Sequence, residues 1–279
     1  MSLSLENLKQ LGESGFIPGP GECEEAFIKR VDLLKTLAHD PHNFFQVEEL
    51  ESLQVNNSKI LGAHPHWVQQ VYSNKRLLPW QGAAVWILTH SQKIKIPLIQ
   101  LRKQFRKGKF LGYHRDEVLL HETVHAIRLA FNEPRFEEIL AYYHSPKKWR
   151  QFFGALFRKP SQALFFLSLI FISLLIQTTS LLWMNWAFLP YIKIVAWLPF
   201  IDLAIRMAIL IKDHRVLKKA LQKLQNLFPK QENLFAIALR LKDSEIQNLA
   251  IDPLEKILLY IKEKSLSSIR WQQILAQFS

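Results

Sequence analysis

Residues 163–183, ALFFLSLIFISLLIQTTSLLW, run for 21 positions without a charge. At 1.5 Å per residue, a helix of that length crosses a hydrocarbon core of about 30 Å. A second apolar stretch, 187–211, carries Lys193, Asp202 and Arg206. Asp202 and Arg206 stand four apart, so they share a helix face and can pair, which lowers the cost of either in lipid. The connection 184–188 has no charge, and Trp183, Trp186 and Tyr191 lie where interfacial aromatics belong. The sequence therefore predicts a two-helix transmembrane hairpin over 163–211.

Basic residues flank both outer ends of this block: Lys147, Lys148, Arg150, Arg158 and Lys159 before it, and Lys212, Arg215, Lys218, Lys219 and Lys223 after it. The positive-inside rule then puts both termini in the cytoplasm of a multi-pass protein, expected in a bacterial inner membrane. Much of the formal charge of +12 is explained by these flanks. No helix-turn-helix pattern, zinc finger or aromatic RNA-binding motif accompanies it, so nucleic acid is not an expected partner. The lipid bilayer is. Residues 1–12 combine neither a basic segment nor an apolar one and are not expected to form a cleaved signal peptide. Cys23 is the only cysteine, which excludes an intrachain disulfide and leaves His and carboxylate side chains as the main metal ligands.

Outward from the apolar block, residues 1–60 read as a helical N-terminal region broken at Pro18-Gly19-Pro20-Gly21. Phe27, Val31, Leu34 and Leu37 have helical spacing within 22–38, and a second helix is expected over 45–53. Residues 62–80 suggest surface connections. Two strands follow, 84–89 and 93–101, the latter alternating in polarity and expected at a sheet edge because it contains Pro97. Asp116 is the expected N-cap of a helix over 117–131, broken by Asn132-Glu133-Pro134. Pro134 suits the first position of a second helix, reaching about residue 143 and folding back on the first. Residues 213–279 read as a helical C-terminal region.

The helix beginning near 117 carries His121-Glu122-Thr123-Val124-His125. Residues i and i+4 lie one turn apart on one face, so both imidazoles can reach one zinc ion. Glu122 stands beside the metal rather than on it, placed to take a proton from water whose acidity the metal raises. This is the HExxH arrangement of zinc peptidases. The surrounding helix is apolar on nearly every side, and two His and a Glu in such a setting need partners. The returning segment offers two, Glu137 and Glu138.

In these residues the chain resembles the gluzincin metallopeptidases, most nearly the minimal ones, over about 84–144. In that clan two His of HExxH and a Glu on a following helix bind zinc. The glutamate helix often reads Glu-x-x-small-Asp, and Glu138-Ile139-Leu140-Ala141-Tyr142 matches through the small residue, with Tyr142 where the clan has Asp. The resemblance implies His121, His125 and Glu138 as zinc ligands, with Glu137 as the alternative third ligand should Arg128 pair with Glu138. It also implies Glu122 as the catalytic base. Tyr142, Tyr143, His144 and His114 are further candidates for stabilising an oxyanion, weighed against plain packing or surface roles. His64-Pro65-His66 has no nearby carboxylate and reads as a polar loop.

The expected fold class is mainly α with a small β-sheet. A zincin-like catalytic region over 61–150 precedes the hairpin at 163–211 and the helical region at 213–279. The expected function is a membrane-anchored, zinc-dependent metallopeptidase that hydrolyses peptide or protein substrates at the cytoplasmic membrane face by zinc-activated water. The alternative is a non-catalytic membrane scaffold, or a structural metal-binding protein, in which His121 and His125 only pack or hold a metal. An intramembrane protease is disfavoured because Arg115, Asp116, Arg128 and Arg135 flank the motif.

Overall fold

The structure, a computed structural model, describes residues 3–39, 50–52, 58–79, 81–89, 94–183 and 189–279. It is mainly helical, with a small mixed sheet. Helix α1 (Leu5–Glu13) is capped by Ser4, whose side chain accepts from the Asn7 amide. Helix α2 (Glu24–His39) buries Phe27, Val31, Leu34 and Leu37, the stripe its spacing predicts.

Strands β1 (Leu50–Ser52), β2 (Gln69–Tyr72), β3 (Ala83–Thr89) and β4 (Lys95–Leu101) form one sheet in the order β1-β2-β4-β3, with helix α3 (Ser58–Leu61) between β1 and β2 in the chain. Two expectations need correction. The described part of the segment expected to be a helix over 45–53 is the strand β1, and the rest lies outside the described residues. The strand carrying Pro97 is not at an edge: β4 lies between β2 and β3. Pro97 is tolerated because β2 pairs with β4 only from Leu98 onward, so at Pro97 the strand has β3 alone as a neighbour. Beyond β4, β3 forms one edge of the sheet, antiparallel to β4, with its second half exposed.

A short hairpin, β5 (Lys109–Phe110) and β6 (Tyr113–His114), turns through Leu111 and Gly112, both at positive φ. Helix α4 (Arg115–Ile127) follows and packs across β3 and β4. It starts earlier than expected. His114 occupies the cap position without a side-chain bond, and Asp116 falls in the first turn beside Glu117, where both carboxylates favour the helix dipole. The helix also ends at Ile127 rather than 131, and Asn132 at φ 51° helps turn the chain. Helix α5 (Pro134–Tyr142) then begins with proline in its first turn, as the sequence predicts.

Helix α6 (Lys148–Phe153) and a 3-10 turn (Gly154–Leu156) lead to α7 (Pro160–Trp183) and α8 (Leu189–Leu227), which pack together. The span Pro160–Ser180 is long and apolar enough to cross a membrane, and among the described residues no other helix is. The expectation of two spans is thus met on composition for the first helix alone, since α8 combines Lys193, Asp202 and Arg206 in its apolar half. The connection 184–188 and the side chains of Trp183, Trp186, Tyr191 and Lys193 lie outside the described residues. Asp202 and Arg206 do pair, at 2.7 and 3.1 Å.

Helices α9 (Leu234–Ala238), α10 (Asp243–Ile251), α11 (Leu254–Ser267) and α12 (Ile269–Phe278) complete the chain. α10 packs on α8, and α12 packs on α1. One continuous apolar core links these helices with the sheet and with α4 and α5.

Candidate metal centre

Contacts between α4 and α5 establish that the two helices run antiparallel: early in α5, Glu137 meets His125, and at its end Tyr142 meets His121 one turn back along α4. Phe136, Ile139 and Leu140 bury the packed face of α5, which leaves Glu137 and Glu138 facing the two imidazoles.

His121 Nε2 and His125 Nε2 are 3.2 Å apart. Glu138 supplies the third corner, with Oε2 3.7 Å from His121 Nε2 and Oε1 3.4 Å from His125 Nε2. Zinc bonded to nitrogen and oxygen at about 2.0–2.2 Å in tetrahedral geometry separates its ligands by about 3.3–3.6 Å. The two Glu138 contacts involve different carboxylate oxygens, so the donors are close to this spacing without matching it on a single oxygen; among the described residues they are the one His/Cys/Asp/Glu group whose ligand atoms all lie within 4.8 Å of one another.

Glu137 has a different partner. Its Oε1 is 2.7 Å from His125 Nδ1, so the imidazole donates to this carboxylate and turns Nε2 towards His121 and Glu138. A carboxylate behind a ligating imidazole fixes its tautomer and raises its basicity. Arg128, whose partner decided between Glu137 and Glu138, is buried and donates to the Leu239 and Leu241 carbonyls. His121 Nδ1 is buried with no hydrogen bond of normal geometry, its weak backbone partner being Ala141.

Burial and the charge on His125 hold His121 well below the usual imidazole range. His125 goes the other way: burial opposes protonation, but the Glu137 bond and the charges of Glu138, Glu122 and Glu137 raise it to about 9. Glu122 is raised to about 7, mainly by burial, with His125 opposing and Glu138 adding to the shift.

A cleft of about 220 Å³ lies beside the centre and is lined by one of its three residues, His121. Glu122, His121 and Tyr142 line it from the helices, and Gly82 and Ala83 place the start of β3 on its rim. The Tyr142 ring lies 4.3 Å from the His121 ring, and burial holds its phenol well above the ordinary value. His144 also lines the cleft, whereas Tyr143 stacks on Phe235 and His114 is exposed in β6, both outside the cleft lining. His64 and His66 stack on each other at 6.0 Å, away from any such cluster among the described residues.

The sequence reading missed the wall formed by Phe105, Phe110, Leu111 and Tyr113. Gly112 was the only local signal of the turn, because Leu111 stands where two-residue hairpins usually have Asn, Asp or Gly. No protein-family model matches the chain, and no curated protein or solved structure does either.

Proposed function

We propose that this chain is a membrane-anchored, zinc-dependent metallopeptidase of gluzincin type acting at the cytoplasmic face of the membrane. The observation that carries the reading is the cluster of His121, His125 and Glu138, with their contacting atoms 3.2–3.7 Å apart, beside the half-buried Glu122 carboxylate on a cleft wall. Three protein ligands rather than four, with His121 and Glu122 on the wall of the neighbouring cleft, favour a catalytic over a structural site, which usually closes with four.

Zinc held there supplies Lewis acidity towards water and a carbonyl oxygen. Glu122, next to His121 on α4 and lining the cleft, would accept a proton from water and return it to the leaving amine. Tyr142, kept neutral by burial, can donate its O–H to an oxygen that gains charge. The exposed edge of β3 beside the cleft suits a peptide bound by strand addition.

Both α7 and α8 are read as membrane-crossing. Phe165, Leu167, Phe171 and Leu175 on α7, and Trp197, Phe200, Ile201 and Ile205 on α8, are exposed in a continuous apolar belt. Arg158, just before α7, bonds Asp213 at 2.6 Å, so the entry of one helix lies beside the exit of the other. This supports reading the pair as a hairpin whose basic flanks, and with them both termini, face the cytoplasm.

Elemental analysis of detergent-purified protein tests the metal directly. One zinc per chain is expected for the wild type and for Glu122→Gln, which should lose peptide hydrolysis. His121→Ala and Glu138→Ala should lose the metal. Wild-type protein without stoichiometric zinc ends this reading and leaves the membrane scaffold in its place.

A further inference from the structure

At the tip of the β5–β6 hairpin, both backbone and solvent oppose the residue present. Leu111 is 61% exposed and sits at φ 46°, a left-handed conformation disfavoured for any residue with a Cβ and usually given to Asn or Gly in such turns. A bulky apolar side chain held there gains nothing from water.

The tip is tied to the segment that leads into α7. Arg150 on α6 donates to the Gly112 carbonyl at 2.9 Å, and its guanidinium lies 3.5 Å from the Tyr113 ring centre. On the same helix Trp149 and Phe153, four apart and therefore on one face, are 55% and 44% exposed. Lys107, Lys109, Lys147, Lys148 and Lys159 around them are exposed, with no acidic partner among the described residues. The level of α6 relative to the helix pair is fixed. Phe152 stacks on His214 at 5.0 Å, next to the Arg158–Asp213 bond where α8 leaves its apolar half.

The geometry points to a bilayer-docking face in which Leu111, Trp149 and Phe153 enter the headgroup region of an anionic leaflet and the surrounding lysines meet its headgroups. This rests on the reading that α7 and α8 span the membrane. Two features select lipid as the occupant: the patch is continuous with the segment entering α7, and the exposed lysines nearest to it in the chain (Lys107, Lys109, Lys147, Lys148 and Lys159) give it a basic surround. The hairpin is also a wall of the cleft, through Phe110, Leu111 and Tyr113. Docking therefore sets the cleft mouth at the membrane surface, and the substrate class becomes peptide presented at headgroup level, such as the juxtamembrane segment of a membrane protein.

Full-length protein with Cys23→Ser takes one cysteine at a time, L111C, F153C, L167C or L266C, labelled with an environment-sensitive fluorophore. Each is reconstituted into vesicles of phosphatidylcholine and phosphatidylglycerol containing lipids with nitroxide quenchers at shallow or deep acyl positions. Labels at L111C and F153C should be quenched severalfold more by shallow quenchers than the label at L266C on exposed α11. The label at L167C on α7 should respond to deep ones. Lys147→Glu with Lys148→Glu, or omission of phosphatidylglycerol, should weaken quenching at L111C. Equal quenching at L111C and L266C, with L167C deeply quenched, overturns the docking face while the spanning helix stands. Cross-linking of two chains through L111C would assign the patch to a second copy and overturn it too. An unquenched L167C removes the membrane reading and the docking face together. Zinc content of the same samples is read separately, so failure of the metal site is distinguishable from all of these.

Discussion

Adjacent glutamates divide the work around His125. Glu138 faces the two Nε2 atoms, and Glu137 holds the far side of one ring. Glu137→Gln keeps the volume but removes the charge behind the imidazole, and loss of such a partner typically lowers metal affinity about 10–100-fold. Competition with a chromophoric chelator should give that range for Glu137→Gln and a larger loss for Glu138→Ala; the reverse order would exchange their roles. Tyr142 is positioned as tightly. A Cβ on Gly154 would stand 2.4 Å from Tyr142 Cγ, so the ring occupies the space a side chain would need. Gly154→Ala should therefore push the phenol off the His121 ring, lowering kcat while zinc stays bound. Unchanged kcat with unchanged zinc would show that the ring position is immaterial to turnover.

Asp213 gathers three elements at one point. Its carboxylate, 2% exposed, accepts from Arg135 at the start of α5 and from Arg158 ahead of α7, while itself belonging to α8. The helix carrying Glu137 and Glu138 is thereby fastened to the apolar pair. Removing one partner of a buried pair costs about 3–5 kcal/mol, and the partial exposure of Arg135 puts Asp213→Ala near the lower end, about 3 kcal/mol. Denaturant unfolding in detergent would measure it, and a change below about 1 kcal/mol would mean solvent already screens the pair. At this scale the α4–turn–α5 unit was legible, because Asn132, Glu133 and Pro134 punctuate it locally. Glu137 was legible as a nearby carboxylate, but its bond to Nδ1 depends on how far α5 is rotated, which packing of Phe136 and Ile139 sets. Strand β2 was not legible. It buries Gln69 and Gln70 instead of alternating in polarity, and the Gln70 amide nitrogen donates to Glu51 on β1, a tertiary bond that local pattern does not contain. Pro97 misled for a related reason, since its tolerance depends on where β2 ends.

The two ends of the chain close on each other, and buried charge marks the seam. Gln273 on α12 donates to the Leu8 and Phe16 carbonyls, and Arg240 donates to carbonyls of Gly12, Leu61, Gly62 and Ala236. Beneath them Glu245 takes both arms of its partnership with Arg270, at 2.7 and 2.9 Å, and accepts from Trp271 and Tyr260. Burial alone would raise this carboxyl, but the Arg270 bonds and charge, with the Lys242 amide and Trp271, outweigh it and hold the group below its ordinary value. A carboxyl whose folded pKa lies below its unfolded one contributes stability above the unfolded value of about 4.3, and that stability disappears as pH falls through the folded value. The α10–α12 region should thus be acid-labile. Glu245→Gln isolates the effect: it leaves Arg270 without a counter-charge and should destabilise by about 3 kcal/mol at neutral pH. As pH drops from neutral to below the folded pKa, the wild type loses what the variant never had, so the difference in Tm between them should shrink. A difference that stays constant down to strongly acid pH would mean that the Glu245 charge does not hold these helices together.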